Sequence, residues 1–291
     1  MADQNKNSLV GVFAGTAIGA LVMLAGSAGS FKTDPISVFA VCGVLAYVIN
    51  WLAFVPSNLL KTERYFDLTG SATYLIVVAV ALLLSENLDA RAMIVAGMVA
   101  VWALRLGSFL FLRVRRVGRD GRFEHLKADS LRFFMVWTIQ GLWVLLTLSC
   151  ALAIITSTER QSIGWVAIVG MVVWIFGFTI EVISDQQKSA FQRDAANYGR
   201  FIISGLWAWS RHPNYFGEIM LWTGVAVVAL PVLSGWAWVT LISPVFVLVL
   251  LTRVSGIPIL EARAEERWGN EKGFREYIAN TPVLLPRFPH S

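Results

Sequence analysis

Long uninterrupted runs of apolar residues recur from one end of this sequence to the other. A run of roughly 17 to 25 such residues crosses the hydrocarbon core of a bilayer as a helix. Lipid-exposed backbone there must satisfy its own polar groups, which leaves helices and closed barrels. Runs of this kind lie near 8–27, 36–56, 69–85, 90–112, 131–156 and 162–184, and 216–252 is long enough for two more, turned at "PVLSG" (231–235). The expected fold is all-α, a polytopic membrane protein of seven to eight transmembrane helices, with eight preferred. Composition agrees, since 56% of the 291 residues are hydrophobic and 15% are charged, against about a quarter charged in soluble domains. The first run ends in small residues, as a cleaved signal does, but the leader "MADQNKNS" has a single lysine. It is therefore read as a helix.

Charge placement tests this topology, because short loops rich in lysine and arginine stay in the cytoplasm. With eight spans, Lys32, Arg91 and Arg160 fall on one side and Arg105 lies within a span, while the other 20 of the 24 basic residues fall on the opposite side. Both termini are expected in the cytoplasm. Cys42 and Cys150 sit inside spans and there are three histidines, so neither a disulfide framework nor a metal site is expected. The net charge of +5 is accounted for by the cytoplasmic loops, and no nucleic-acid partner is needed. No repeat or low-complexity linker divides residues 1–291, which are read as one membrane domain. No span shows a small-xxx-small face standing apart from the general glycine content.

Polar residues concentrate in four regions: "KTERYFDLTGS" (61–71), "RLGSFLFLRVRRVGRDGRFEH" (105–125), "EVISDQQKSAFQRDAANYGRF" (181–201), and "WSRHPNYFGEIMLW" (209–222) with the tail from Arg253. All four are expected on the cytoplasmic side, able to converge on one mouth. Proline is favoured at the first turn of a helix, so Pro213 should open the seventh span. Arg211 and His212 then stand at an N-terminal end that favours an anion. Asn214, Glu218 and Trp222 follow at intervals of four, on one face. Interfacial Arg, His, Trp and Tyr also serve as surface anchors, but an anchor has no need of a carboxylate such as Glu218, costly in a membrane unless paired. Glu181 and Asp185 are likewise four apart, followed by Gln186, Lys188, Arg193, Tyr198 and Arg200. Arginines grip phosphate bidentately and carboxylates accept from ribose hydroxyls. A structural salt-bridge network is the alternative.

"SRHPNYFGEIMLW", preceded by "EVISDQQ" and followed by a tail ending "FREYIANTPVLLPRFP", resembles the steroid 5α-reductase family of membrane enzymes, in particular its bacterial members. The likeness covers roughly residues 50–290 and is strongest from 180 to 223. The "RHPNYFG" core also resembles isoprenylcysteine carboxyl methyltransferases, which use S-adenosylmethionine, and Glu218 with Asp185 tilts toward the reductases. The resemblance implies an integral protein of the bacterial inner membrane that binds NADPH at the cytoplasmic side. It would reduce the Δ4 double bond of a 3-oxo steroid or similar lipophilic enone arriving from the bilayer, among membrane lipids.

Carried over residue by residue, the resemblance puts most of the cofactor-binding portion in 181–291. It implies cofactor contacts at Asn214, Glu218, Asp185 and Glu181, the last replacing a family asparagine. The basic positions that match are Arg105, Arg113, Arg116, Arg193, Arg200 and Arg253. Tyr198, Arg211, His212, Tyr215, Glu261 and Tyr277 complete the expected cofactor set. The family's catalytic acid falls on Asp67, and its tyrosine position falls on Trp102. An indole donates one hydrogen bond but supplies no proton, so Tyr65, Tyr74 or a water must take over. Tyr74, seven residues beyond Asp67 and on the same helical face, is preferred. Hydride delivered to an enone pushes charge onto its carbonyl oxygen, where each donor is worth roughly 3 kcal/mol in a dry site. For Asp67 the competing role is a helix N-cap.

Overall fold

The computed structural model describes residues 2–117 and 126–288. Among these, eight helical stretches are long and apolar enough to cross a membrane, and the chain is an all-α integral membrane protein. The helices are α1 (Ala2–Gly26), α2 (Val38–Leu59), α3 (Phe66–Leu84), α4 (Ala90–Val117), α5 (Ser130–Ile155), α6 (Trp165–Arg193), α7 (Pro213–Ala229), α8 (Ile242–Val249), α9 (Ile257–Trp268) and α10 (Lys272–Asn280). The strands among the described residues are a two-residue pair, Lys32–Thr33 against Ile36–Ser37. Two compact units result, Met1–Ala167 with Ala229–Ser243, and Ile168–Val228 with Pro244–Ser291.

In the first unit, α5 is the central element. It packs on α1, α2, α3 and α4, and its apolar residues face every direction, as a helix buried all round requires. Asp129 caps its start, accepting from the amides of Leu131 and Arg132. Ser37 does the same for α2 through the amide of Ala40. Tyr47 donates from α2 to the carbonyl of Gly15 in α1, a polar bond that has no water to compete with it in an apolar surround.

In the second unit, α6 runs nine residues past its expected end at 184, to Arg193. Hydropathy marks where lipid contact stops, and the polar stretch beyond, with no glycine or proline to break it, continues the helix. α7 begins at Pro213, as expected. The last stretch, Gly235–Trp268, is not one regular helix. A 3₁₀ segment leads into α8, a π-turn (Leu250–Val254) follows it, and α9 restarts after Gly256. Pro258 accounts for the restart: it has no N–H with which to continue the preceding turn, and it is tolerated in a first turn.

The contact between α6 and α7 is set by glycine. A Cβ on Gly177 would lie 2.5 Å from the amide nitrogen of Leu221 and 2.6 Å from the carbonyl of Gly217. One on Gly224 would meet the carbonyl of Gly170 at 2.6 Å, and one on Gly217 the amide of Glu181 at 2.6 Å. The two backbones thus touch along Gly170, Gly177, Gly217 and Gly224. The spacing is seven residues on each helix, not the four of a small-xxx-small face.

Candidate active site

Three groups of side chains carry chemistry, one in the first unit and two in the second. On α3, Asp67 is the second helical residue and is half-buried. The N-cap is Tyr65, which makes no side-chain cap bond. The N-cap expectation for Asp67 is therefore corrected: the carboxylate sits inside the first turn, where the helix dipole favours negative charge. Gln140 of α5 donates to the carbonyl of Phe66 at 2.9 Å, and a Cβ on Gly70 would lie 2.7 Å from that same amide nitrogen. The ring of Phe66 stands edge-on to Trp137 at 5.0 Å. All three contacts come from α5, which holds the turn bearing Asp67. Just upstream, Lys127 pairs with the buried Glu63 at 2.8 Å.

Two turns further along the face of Asp67, Tyr74 is buried and meets Trp102 of α4 edge to face, with ring centroids 5.0 Å apart at 84°. The phenol ring thus stands beside the indole of Trp102. Arg105, half-buried on α4, lies over Phe109 at 5.3 Å.

In the second unit, the close approach of α6 and α7 draws polar groups into an apolar seam. Glu181, one turn beyond Gly177, is 2% exposed, and Asp185 is also buried. Asn214 donates to Asp185 at 3.3 Å. Glu218, beside Gly217, is half-buried on α7. The spacing of four that put these groups on two helical faces thus becomes an interface.

The third group surrounds a cavity of about 410 Å³. Its walls include Lys188, Arg200, Arg211, Arg263 and Arg267, a single carboxylate (Glu261), His212, and the aromatic rings of Phe201, Trp207, Trp268, Phe274 and Tyr277. Glu261 holds two neighbours at once, Arg211 at 2.5 Å and His212 Nε2 at 2.7 Å. His212 is buried and stacks on Tyr215, with planes 9° apart. Burial pushes its pKa below the ordinary 6.5, with Lys188 and Arg211 acting in the same direction and Glu261 opposing. Tyr277 donates to the carbonyl of Trp207 at 2.7 Å, and burial raises its phenol pKa. The Trp207 indole in turn donates to the carbonyl of Ser184 on α6 at 3.0 Å. Beyond α10 the tail pairs with this wall: Arg211 N donates to Pro282, Ser210 Oγ to Leu284, and Arg287 N to Trp209.

The family described as "Protein of unknown function (DUF1295)" matches residues 53–281. The chain belongs to the DUF1295 family. Among curated proteins, this DUF1295 chain is 28% identical over 128 residues to steroid 5-alpha-reductase DET2 of Gossypium hirsutum, covering 44% of this chain and 45% of the relative. It is 30% identical over 124 residues to the Arabidopsis thaliana DET2, covering 42% of each. With 3-oxo-5-alpha-steroid 4-dehydrogenase 1 of Rattus norvegicus it shares 27% over 118 residues, 40% of each. The chain spans less than half the length of these relatives. No solved structure matches it.

Of the residues expected from sequence, this DUF1295 chain brings Arg200, Arg211, His212, Glu261 and Tyr277 around one cavity, with Tyr215 stacked behind. It joins Asp185 to Asn214 and sets Tyr74 against Trp102. Arg193, Tyr198 and Arg253 are exposed and do not line the cavity, Tyr198 being 91% exposed. Arg113 and Arg116 lie on α4, and their side chains fall outside the described residues. The sequence reading assigned no site role to Lys188, Arg263 and Arg267 or to the aromatic walls. The available signal was their spacing: Lys188 stands three residues after Asp185, and Arg263 and Arg267 stand four apart on one face.

Proposed function

We propose that this chain is a membrane reductase that uses NADPH to reduce the C=C bond of a 3-oxo-Δ4 steroid or similar lipophilic enone. Residues 1–291 would form one reductase domain, with 181–291 supplying most of the cofactor contacts. The observation that carries the proposal is the cavity of the second unit, where five cations and aromatic walls meet one carboxylate. That chemistry suits a phosphorylated, ring-bearing ligand. Its volume lies within the usual range for small-molecule sites, about 300–1,000 Å³. The named reductases among the relatives supply the reaction class.

The residues present fit the cofactor. His212 Nδ1 is buried and takes no hydrogen bond from the described residues. Because Glu261 can only accept, Nε2 carries the imidazole hydrogen and Nδ1 is left as an acceptor, suited to a ribose hydroxyl. Lys188, Arg200, Arg263 and Arg267 would hold phosphates, with Asp185, Asn214, Glu181 and Glu218 as the remaining polar contacts. NADPH, when bound, supplies a hydride to the β-carbon of the enone. Asp67 and Tyr74 are assigned to the substrate carbonyl, where charge accumulates, each donor there worth roughly 3 kcal/mol. Tyr74 can give up a proton as well as a hydrogen bond; Trp102 can give only the bond.

Purified protein in detergent should enhance NADPH fluorescence on binding and show no heat on titration with S-adenosylmethionine. The opposite pair of results would move the chain to the methyltransferase class, which a cavity this basic disfavours because the methyl donor carries a sulfonium cation.

A further inference from the structure

We propose that Gln140 of α5 is a positioning residue for the reaction: its amide fixes the turn that carries Asp67, and the chain keeps it there without gain in stability. The inference rests on the role proposed above for Asp67. The N-cap of α3, Tyr65, supplies no side-chain bond. The first amides of a helix have no partner within it, so an end of this kind frays unless it is held from outside. Asp67 stands in that turn. Two residues of α5, one turn apart, hold it. The Trp137 ring meets the Phe66 ring at 5.0 Å, and the Gln140 amide donates to the Phe66 carbonyl at 2.9 Å. The residue before Asp67 is thus gripped by its side chain and by its backbone.

Glycine makes the second grip possible. Within a helix the Phe66 carbonyl is the acceptor of the Gly70 amide, so Gln140 uses its second lone pair. A Cβ at residue 70 would lie 2.7 Å from Gln140 Nε2, and a side chain there would push the amide aside. The pair is poorly chosen for stability alone. Gln140 is 8% exposed, and its Oε1 finds no hydrogen-bond partner among the described residues. A buried amide left half unpaired is costly, and glycine inside a helix is worse than alanine. Without Gln140 the Phe66 carbonyl would still keep its helical bond. An apolar side chain of the same length would therefore serve the fold as well, and what it would lose is the fixed direction of the Asp67 turn. Misplacement of a reacting group by about 1 Å is enough to slow chemistry about a hundredfold.

Gln140→Met, Gly70→Ala and Asp67→Ala are compared with the parent as the full chain in detergent. Three quantities are read: melting temperature, hydrogen–deuterium exchange of the peptide spanning 64–72, and NADPH-driven reduction of progesterone. Gln140→Met should melt at the parent's temperature or above it. Its exchange in 64–72 should quicken about fivefold, the worth of one hydrogen bond. Its kcat should fall about tenfold to a hundredfold, with KM and NADPH affinity unchanged. Gly70→Ala keeps the glutamine but displaces its amide, and should show the same loss of kcat; the double variant should lose no more than either single one. A lower melting temperature in Gln140→Met with a parallel loss of NADPH binding would assign Gln140 to the fold and overturn the proposal. Unchanged exchange would overturn it too. Full kcat in both variants while Asp67→Ala loses activity would also overturn it and leave the role of Asp67 standing. Full activity in Asp67→Ala removes that role and this one with it.

Discussion

Asp67 and Tyr74 stand two turns apart on one face of α3, where both are proposed to meet the substrate carbonyl. Tyr74 packs edge to face against the indole of Trp102; the family resemblance aligns that indole with a tyrosine, and the phenol is proposed to supply the proton. Asp67→Ala should lower turnover of a 3-oxo-Δ4 steroid by about 100- to 1,000-fold while NADPH affinity, measured by fluorescence, stays unchanged. Tyr74→Phe keeps the ring contact and should lose a comparable factor. Full activity in Asp67→Ala would remove the catalytic assignment. His212 permits a pH prediction. Its folded pKa is depressed by burial below the ordinary 6.5, so the unfolded chain binds the extra proton first as pH falls. The stability this residue contributes is present above pH 6.5 and is lost as pH drops through its folded pKa. The melting temperature of the parent should fall more steeply between pH 6.5 and 5 than that of His212→Gln; parallel curves would contradict it.

At the scale of elements, the seam between α6 and α7 does more than join two spans. Without a hydrophobic driving force between helices in lipid, close backbone approach through small residues supplies much of the association. Here four glycines supply it, and the same contact aligns Glu181 with Gly217 and Asp185 with Asn214. Gly177→Ala would force a methyl against the backbone of Leu221 and Gly217. The expected cost is about 1–3 kcal/mol, as for other overpacked contacts, seen as a lower melting temperature in detergent together with weaker NADPH binding. Gly97→Ala on α4, where a Cβ meets nothing within 4 Å, should leave both unchanged. Equal behaviour of the two variants would show that the seam does not position the site.

For the whole molecule, the eight spans and the one-sided distribution of lysine and arginine bear on orientation. An even number of crossings returns the chain to its starting side, and the positive-inside rule predicts that this side faces the cytoplasm. Fluorescent reporters fused at either terminus should therefore both fold in the cytoplasm, while an alkaline phosphatase inserted between Thr158 and Gly164 should be active. A terminus that reports the outer side would revise the number of crossings. The same orientation would give the basic cavity access to a water-soluble cofactor.

The spans were legible in the sequence because hydropathy acts locally. A run of apolar residues must become a helix in lipid whatever its neighbours do, and Pro213 starts α7 for an equally local reason. Arg211 and His212 stood out in the sequence because they precede a proline that opens a span, whereas Glu261 entered only through the family resemblance. What the linear order left open was which of them meet. Glu261 lies 49 residues from His212, and only the fold set them 2.7 Å apart. The phenol beside Trp102, the glycine seam and the arginine pair of α9 belong to the same class. Each is a relation between surfaces on different helices or between a helix face and a cavity, and such relations depend on how backbones approach, which tertiary packing alone decides.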